Sequence, residues 1–204
     1  GGGGFLAGKR FGNVGACSAS LSAWIANKVW SAPWRSFSQG SSDEFTRRYD
    51  EFIRAGVIKE DKRQRSLLST LSSIFTKIRR EDATGPKGPR TKMKSRRGCY
   101  IHGSVGAGKT MLMQMFYESV RGLLPTRRVH FHEFMLSIHS RIHAYKQRGP
   151  GAGAIQEVAR EIAYESQVLC LDEVQLVDIA DVAMLSQVLP VLWQHGVCVI
   201  ATSN

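Results

Sequence analysis

The stretch Gly103-Ser104-Val105-Gly106-Ala107-Gly108-Lys109-Thr110 matches the phosphate-binding pattern G-x-x-x-x-G-K-[ST] at every fixed position. Glycines let backbone N–H groups turn toward an anion, while a lysine adds positive charge and a hydroxyl can ligate magnesium. The pattern needs a strand before it and a helix after it, and residues 98–102 and 111–120 have those compositions. The sequence therefore predicts a nucleoside triphosphate site here; a glycine-rich turn without a ligand is the alternative.

A second apolar run ends abruptly in two carboxylates. Residues 167–171 have the length and composition of a buried parallel strand, and Asp172 and Glu173 follow directly. The carboxyl ends of parallel strands open onto ligand crevices. We therefore expect Asp172, together with Thr110, to hold Mg²⁺, and Glu173 to orient or deprotonate the attacking water.

A third apolar run, residues 197–201, is followed by Thr202, Ser203 and Asn204. In a nucleotide-hydrolysing sheet, a polar residue at such a strand end can sense the terminal phosphate, and Asn204 is the candidate. Lys109 and the loop amides would bind the phosphates. The predicted catalytic residues are therefore Lys109, Glu173 and Asn204.

The net charge of +11 is distributed unevenly. Residues 1–42 contain no Asp or Glu, residues 83–97 carry six Lys or Arg and no acid, and residues 151–204 are net acidic. The region that carries the motifs is therefore not a uniformly basic surface, and we expect no specific nucleic-acid partner.

Composition divides the chain into four predicted segments. These are a leader (1–40), a helical region (41–82), a flexible basic linker (83–97) and a nucleotide domain (98–204). The leader is rich in Gly, Ser and Ala, basic and free of acids, which is typical of an organellar transit peptide. A disordered leader is the alternative there, and for the linker an acidic partner or a nuclear-localisation signal is the alternative.

The helical region contains two predicted helices. Ser41 with Glu44, and Asp61 with Gln64, have the spacing of capping boxes. The second helix has an apolar stripe at helical spacing: Leu67, Leu68, Leu71, Ile74, Phe75 and Ile78. We expect that stripe to pack on the nucleotide domain; a membrane-surface or partner helix is the alternative.

The remaining segments complete an alternating α/β pattern. We expect a strand over 127–132 and helices over 133–147, 155–166 and 179–195. His139 and His143 lie one helical turn apart and could bind a metal, although no acidic or cysteine companion is near in sequence. The four cysteines lack zinc spacing and are expected to be buried packing residues. No apolar run has the length of a membrane span.

Four stretches together resemble one family, the AAA-type ATPases that include bacterial ZapE and the mitochondrial lactation-elevated protein. They are GSVGAGKTMLM (103–113), RVHFHEFM (128–135), VLCLDEVQLVDIADVA (168–183) and VIATSN (199–204). The resemblance runs from about residue 43 to the end. One departure is Val174, where the family usually has Phe.

The resemblance implies a P-loop NTPase fold, AAA-type, three-layer α/β/α with a mostly parallel sheet. It places the strand ending at Asn204 between the phosphate-loop strand and the strand ending at Asp172. It also implies a further strand, an arginine finger, a helical lid and a homo-oligomeric ring. No residue up to Asn204 matches any of these features. We therefore expect the chain to be C-terminally incomplete and its own rate of ATP hydrolysis to be low.

The implied activity is Mg²⁺-dependent ATP hydrolysis coupled to remodelling or quality control of protein clients. Together with the transit-like leader, the resemblance favours a mitochondrial protein, and a plastid protein is the alternative. Peripheral association with an organellar membrane is a further expectation. Phe134 and Met135 would be pore-facing substrate contacts or core residues. The alternative functions are a DNA-linked ATPase of the helicase-loader type and a nucleotide-binding scaffold with little turnover.

Overall fold

The computed structural model describes residues 43–83, 98–147 and 153–204. Its helices are α1 (Asp43–Arg54), α2 (Lys62–Ala83), α3 (Lys109–Val120), α4 (Phe131–Gln147), α5 (Ala154–Glu165) and α6 (Ile179–Gln194). Its strands are β1 (Cys99–His102), β2 (Thr126–His130), β3 (Val168–Asp172) and β4 (Cys198–Ser203). The predicted leader, most of the basic linker and the Ser41–Glu44 capping box lie outside the described part, and the division into domains stays a prediction.

The strands form one parallel sheet with the order β1-β4-β3-β2. β4 therefore lies between the strand that precedes the phosphate loop and the strand that ends at Asp172, as the resemblance implied. Because all four strands run in the same direction, their carboxyl ends meet at one edge. The residues that follow β1, β3 and β4 are thereby brought to the same side of the molecule.

Alternation along the strands divides the sheet into two apolar faces. Leu169, Leu171 and Val199 belong to one core together with α4, α5 and α6. Cys170 and Ile200, at the alternate positions, are also fully buried. Helix α3 contacts β2, β3 and β4 and covers this second face. The described residues therefore form helix, sheet and helix layers, as predicted.

Helices α1 and α2 pack on α3 through an aromatic cluster. The ring of Phe45 in α1 lies 5.3 Å from that of Phe75 in α2 and 6.5 Å from that of Phe116 in α3. The predicted stripe of α2 faces this cluster, since Leu68, Leu71, Phe75 and Ile78 are buried. The stripe is thus a core-packing face.

Two predicted boundaries differ from the structure, and one open alternative is decided by it. β2 ends at His130 and α4 begins at Phe131, two residues before the predicted start, because Phe131 turns inward to join the core. Phe134 and Met135 are buried in that core, which confirms the core-residue interpretation and excludes surface substrate contacts. Ala83, assigned to the linker, belongs to α2.

In the described ranges, no helix has the length and apolarity needed to cross a membrane.

Candidate functional site

The phosphate loop, residues 103–110, connects β1 to the first turn of α3. Lys109 is largely buried, and its Nζ donates to the carbonyl oxygens of Gly103 and Ser104, both at 2.8 Å. The first N–H groups of an α-helix have no acceptor within the helix and carry the positive end of its dipole. The loop therefore combines an ammonium group with a helix N-terminus, which is an arrangement suited to an anion.

Two glycines of the loop adopt left-handed backbone conformations. Gly106 has φ 81° and Gly108, the N-cap of α3, has φ 76°. Residues with a Cβ rarely adopt these angles. At Gly108 a Cβ would also lie 2.8 Å from Nε2 of Gln64. Gly108, a fixed glycine of the motif, is thus required by backbone geometry and lies directly against Gln64, while Gly106, at a variable position of the motif, is favoured by backbone geometry alone.

Asp172, at the end of β3, is 2% exposed and is held from three directions. Its Oδ1 accepts from Oγ1 of Thr202 at 2.9 Å and lies 3.5 Å from Oγ1 of Thr110. Its Oδ2 accepts from Nη2 of Arg128 at 2.5 Å. The fold therefore brings the loop hydroxyl and the strand-end carboxylate together, as predicted.

Arg128 and Thr202 were not predicted as site residues. Arg128 lies on β2, beside β3, and also donates to Gln114 of α3. The sequence did contain an indication for Thr202, because a polar residue at the end of a central strand lies beside the ends of the neighbouring strands. For Arg128 the sequence contains only a basic strand residue, and its partner follows from the parallel register.

Glu173 occupies a turn that Thr202 stabilises on both sides. Its φ of 56° is in the left-handed region, and it is the one non-glycine residue of the described chain with positive φ. The Glu173 N–H donates to Oγ1 of Thr202 at 3.1 Å, and the Val174 N–H donates to the Thr202 carbonyl at 2.7 Å. The side chain of Glu173 is exposed. Strained backbone of this kind is found at functional sites.

Asn204 follows β4 directly and is exposed. The parallel topology brings it to the sheet edge shared by the loop and Asp172. Its predicted role in sensing the terminal phosphate stays a prediction.

The oxygen ligands at the sheet edge suit magnesium. A threonine hydroxyl and a carboxylate are hard donors of the kind that Mg²⁺ prefers, and one or two protein ligands suffice when phosphates supply the rest. Within the described ranges, His, Cys, Asp and Glu side chains form no cluster of three or more that could hold a metal. His139 instead contacts Asp181 of α6 at 3.2 Å. The residues present therefore fit magnesium at Thr110 and Asp172 better than a metal at the histidines.

Burial perturbs the thiols near the site. Desolvation raises the pKa of Cys170, two residues before Asp172, to about 12. Burial also raises the pKa of the half-buried Cys99. Protonated thiols are poor nucleophiles and poor metal ligands. Both cysteines are therefore packing residues, as expected from sequence.

Comparison with known proteins identifies the family. A family model described as AFG1-like ATPase matches residues 44–204. Lactation elevated protein 1 homolog B of Danio rerio is 48% identical over 115 residues, which are 52% of this chain and 23% of that protein. Cell division protein ZapE of Escherichia coli K12 is 32% identical over 174 residues, which are 78% of this chain and 45% of that protein.

Among solved structures, domain III of the replication initiation protein DnaA from Thermotoga maritima matches with a TM-score of 0.40 and 17% identity. The match covers 65% of this chain and 50% of that chain. The chain spans less than half the length of the curated relatives it matches. Since the family model covers the phosphate loop, the Asp172-Glu173 turn and the end of β4, the chain belongs to the AFG1-like ATPase family.

Proposed function

We propose that this chain binds ATP with Mg²⁺ at the phosphate loop and hydrolyses the terminal phosphate. One observation carries the proposal: Oγ1 of Thr110 lies 3.5 Å from Oδ1 of Asp172, although 62 positions separate the two residues. The fold thus supports a site in which a loop that accepts phosphate and a carboxylate pair act on the same ligand.

Each residue of the proposed site has a distinct task. Lys109 would exchange the carbonyl oxygens of Gly103 and Ser104 for phosphate oxygens, while the loop amides donate to the same group. Thr110 and Asp172 would hold Mg²⁺. Magnesium supplies positive charge that offsets the charge on the phosphate oxygens.

The proposed reaction is attack of water on the γ-phosphorus. A bond forms from the water oxygen to phosphorus, and the bond from phosphorus to the bridging oxygen breaks, leaving its electron pair on ADP. The water proton passes to the Glu173 carboxylate and then to solvent. Asn204 would align the water through its amide. The products are ADP and inorganic phosphate.

We infer further that the protein assembles as a ring that couples hydrolysis to remodelling of protein clients in mitochondria. The sequence resemblance to AAA-type ATPases supports assembly, and the acid-free, basic leader supports an organellar destination. Import of the leader fused to a fluorescent protein into isolated mitochondria or chloroplasts tests the destination. Failure to enter either organelle would contradict it.

Binding is tested by titrating ATP and Mg²⁺ into the wild-type chain and into Lys109→Ala. We expect Lys109→Ala to abolish measurable binding, because the loop then keeps its amides but loses its central positive charge. Lys146→Ala is the matched control, since Lys146 is exposed on the last turn of α4. Equal affinity of Lys109→Ala and wild type would refute the site.

Turnover separates the proposal from its alternatives. Phosphate release is measured for this chain and for a longer form at matched concentration. Release that depends on Mg²⁺ supports an ATPase, while tight binding without release from either form indicates a nucleotide-binding scaffold. Stimulation by single-stranded DNA that weakens steeply with salt would instead indicate a DNA-linked ATPase.

A further inference from the structure

A chain of hydrogen bonds joins the helical hairpin of α1 and α2 to the phosphate loop. Gln64, in the first turn of α2, donates from Nε2 to the carbonyl oxygen of Ala107 at 3.0 Å. Its Oε1 accepts from the Tyr49 hydroxyl of α1 at 2.8 Å. That hydroxyl in turn accepts from the N–H of Asp61 at 3.1 Å. Both ends of the Gln64 amide are therefore used, one by the hairpin and one by the loop.

These contacts correct the expected capping of α2. Asp61 does cap the helix, since its Oδ1 accepts from the N–H groups of Arg63 and Gln64 at 2.6 and 3.4 Å. The side chain of Gln64 does not return to the Asp61 N–H, as a reciprocal capping box requires. The Tyr49 hydroxyl takes that N–H instead, which leaves Gln64 free to reach the loop.

The orientation of the Gln64 amide is determined by its neighbours. The Tyr49 hydroxyl already accepts from an N–H, so its own proton is available for an acceptor, which is Oε1. A reversed amide would place an oxygen against the Ala107 carbonyl, where two acceptors would face each other. Tyr49 is fully buried, so this support is well anchored.

The loop is close-packed at the point of contact. Ala107 lies between Gly106 and Gly108, the two left-handed residues of the loop. A Cβ at Gly108 would approach Nε2 of Gln64 to 2.8 Å. The Gln64 amide therefore lies directly against the loop backbone at Gly108.

The hairpin itself is held firmly against the helix that follows the loop. Phe45 of α1 packs on Phe75 of α2 and on Phe116 of α3, and the three rings are buried. The hairpin thus has an apolar attachment to α3 and, through Gln64, a polar attachment to the loop that precedes α3. The two attachments restrict movement of the loop relative to α3.

We propose that Gln64 is a positioning residue that holds the phosphate loop in its nucleotide-accepting shape and couples the α1–α2 hairpin to nucleotide binding. The inference rests on the proposed ATP site. Coupling free energies are reciprocal. If displacement of Gln64 lowers the nucleotide affinity by some factor, bound nucleotide disfavours that displacement by the same factor. Nucleotide binding then increases the hydrogen-exchange protection of the hairpin as well as that of the loop.

The test compares Gln64→Glu with wild type. The substitution keeps nearly the same shape and an acceptor for Tyr49, but it replaces the donor to Ala107 with a carboxylate oxygen. We expect ATP affinity in the presence of Mg²⁺ to fall about tenfold. The introduced carboxylate repels the Ala107 carbonyl oxygen, and this repulsion costs more than the loss of a hydrogen bond. In turnover assays the KM rises by a similar factor while kcat changes less.

Two further variants and a second readout make the test specific. Tyr49→Phe keeps the buried ring but removes the hydroxyl that orients Gln64, and we expect a smaller loss of affinity, about threefold. Gln187→Glu is the matched control, since Gln187 is exposed and its Nε2 donates to a carbonyl within α6 at 3.3 Å. We expect it to leave nucleotide affinity unchanged.

Hydrogen exchange of residues 103–108 without nucleotide separates failure of this inference from failure of the ATP site. We expect faster exchange in Gln64→Glu than in wild type or Gln187→Glu, at similar melting temperatures. Unchanged loop exchange together with wild-type affinity would overturn the positioning role. Faster loop exchange in a chain whose wild type binds no ATP would keep the positioning role and overturn the nucleotide site and its coupling.

Discussion

The hydroxyl of Thr202 donates to Oδ1 of Asp172 at 2.9 Å and accepts from the N–H of Glu173 at 3.1 Å. Thr202 is 1% exposed, so neither bond can be replaced easily by water. A single side chain at the end of β4 therefore connects Asp172, the predicted magnesium ligand, with Glu173, the predicted catalytic base, at the end of β3. This contact fixes Asp172 in place and closes the turn that carries Glu173.

Thr202→Val keeps the shape of the side chain and removes the hydroxyl. We expect a loss of about 1–3 kcal/mol in the free energy of unfolding, because the buried Asp172 carboxylate loses a donor and the Glu173 N–H loses its acceptor. Urea unfolding measures the loss. Thr126→Val is the control, since Thr126 bonds only a carbonyl of its own turn at 2.9 Å and we expect a loss below about 1 kcal/mol. Equal losses would contradict the special role of Thr202.

Arg128 neutralises the buried side of Asp172. We expect Arg128→Met to destabilise the chain by about 1–3 kcal/mol, because removing one partner leaves a buried carboxylate without its cation. In an Asp172→Asn background the same change should cost less than about 0.5 kcal/mol. A double-mutant cycle by urea unfolding measures the difference, and additive effects would show that the two groups do not interact.

Arg141→Met provides a comparison for the Arg128 cycle. Arg141 forms a bidentate pair with Glu165 at 2.7 and 2.9 Å, on the surface of the molecule. Exposed pairs of this kind contribute about 0.2–1 kcal/mol. A larger loss from Arg141→Met than from Arg128→Met would contradict the ranking of the two pairs by burial.

Glu173→Gln should bind ATP with wild-type affinity and release no phosphate above background. The amide preserves size and turn geometry, but it cannot accept the proton of the attacking water. Isothermal titration and a phosphate-release assay measure the two properties. Phosphate release at more than about a tenth of the wild-type rate would exclude Glu173 as the base, since general-base catalysis contributes about 10²–10⁴-fold.

The backbone of Glu173 permits a separate test of strain. Glycine adopts a φ of 56° without a steric penalty, so Glu173→Gly should unfold with a free energy about 0.5–1 kcal/mol higher than Glu173→Gln. At Glu133, in the first turn of α4, the same comparison should favour Gln by about 1 kcal/mol. The same order of stability at both positions would show that the turn at Glu173 stores no strain.

The Cys170 thiol should make stability depend on pH. Its pKa rises from the ordinary 9.0 to about 12, so between these values the folded state keeps a proton that the unfolded state has lost. The free energy of unfolding is therefore unaffected below pH 9 and falls above it, by about 1.4 kcal/mol per pH unit. Urea unfolding from pH 7.5 to 10.5 should show a shallower fall for Cys170→Val than for wild type. Parallel curves would contradict the shift.

The sequence alone determined the features that depend on local pattern. The phosphate loop is a contiguous motif whose glycines need particular backbone angles, and Asp172 and Glu173 stand directly after an apolar run. The stripe of α2 follows from helical periodicity. Local rules failed at Phe131, where core packing ends β2 earlier than the apolar pattern indicated, and at Gln64, whose side chain is drawn to another element.

The tertiary structure alone decided which side chains support the site. Thr202, Arg128 and Gln64 contact Asp172 or the loop from elements 30 to 44 positions away in sequence. No local pattern encodes these distances, because they depend on the parallel register of β2, β3 and β4 and on how the hairpin packs against α3. The sequence therefore determined the chemical groups of the proposed nucleotide site, and packing decided how those groups are held.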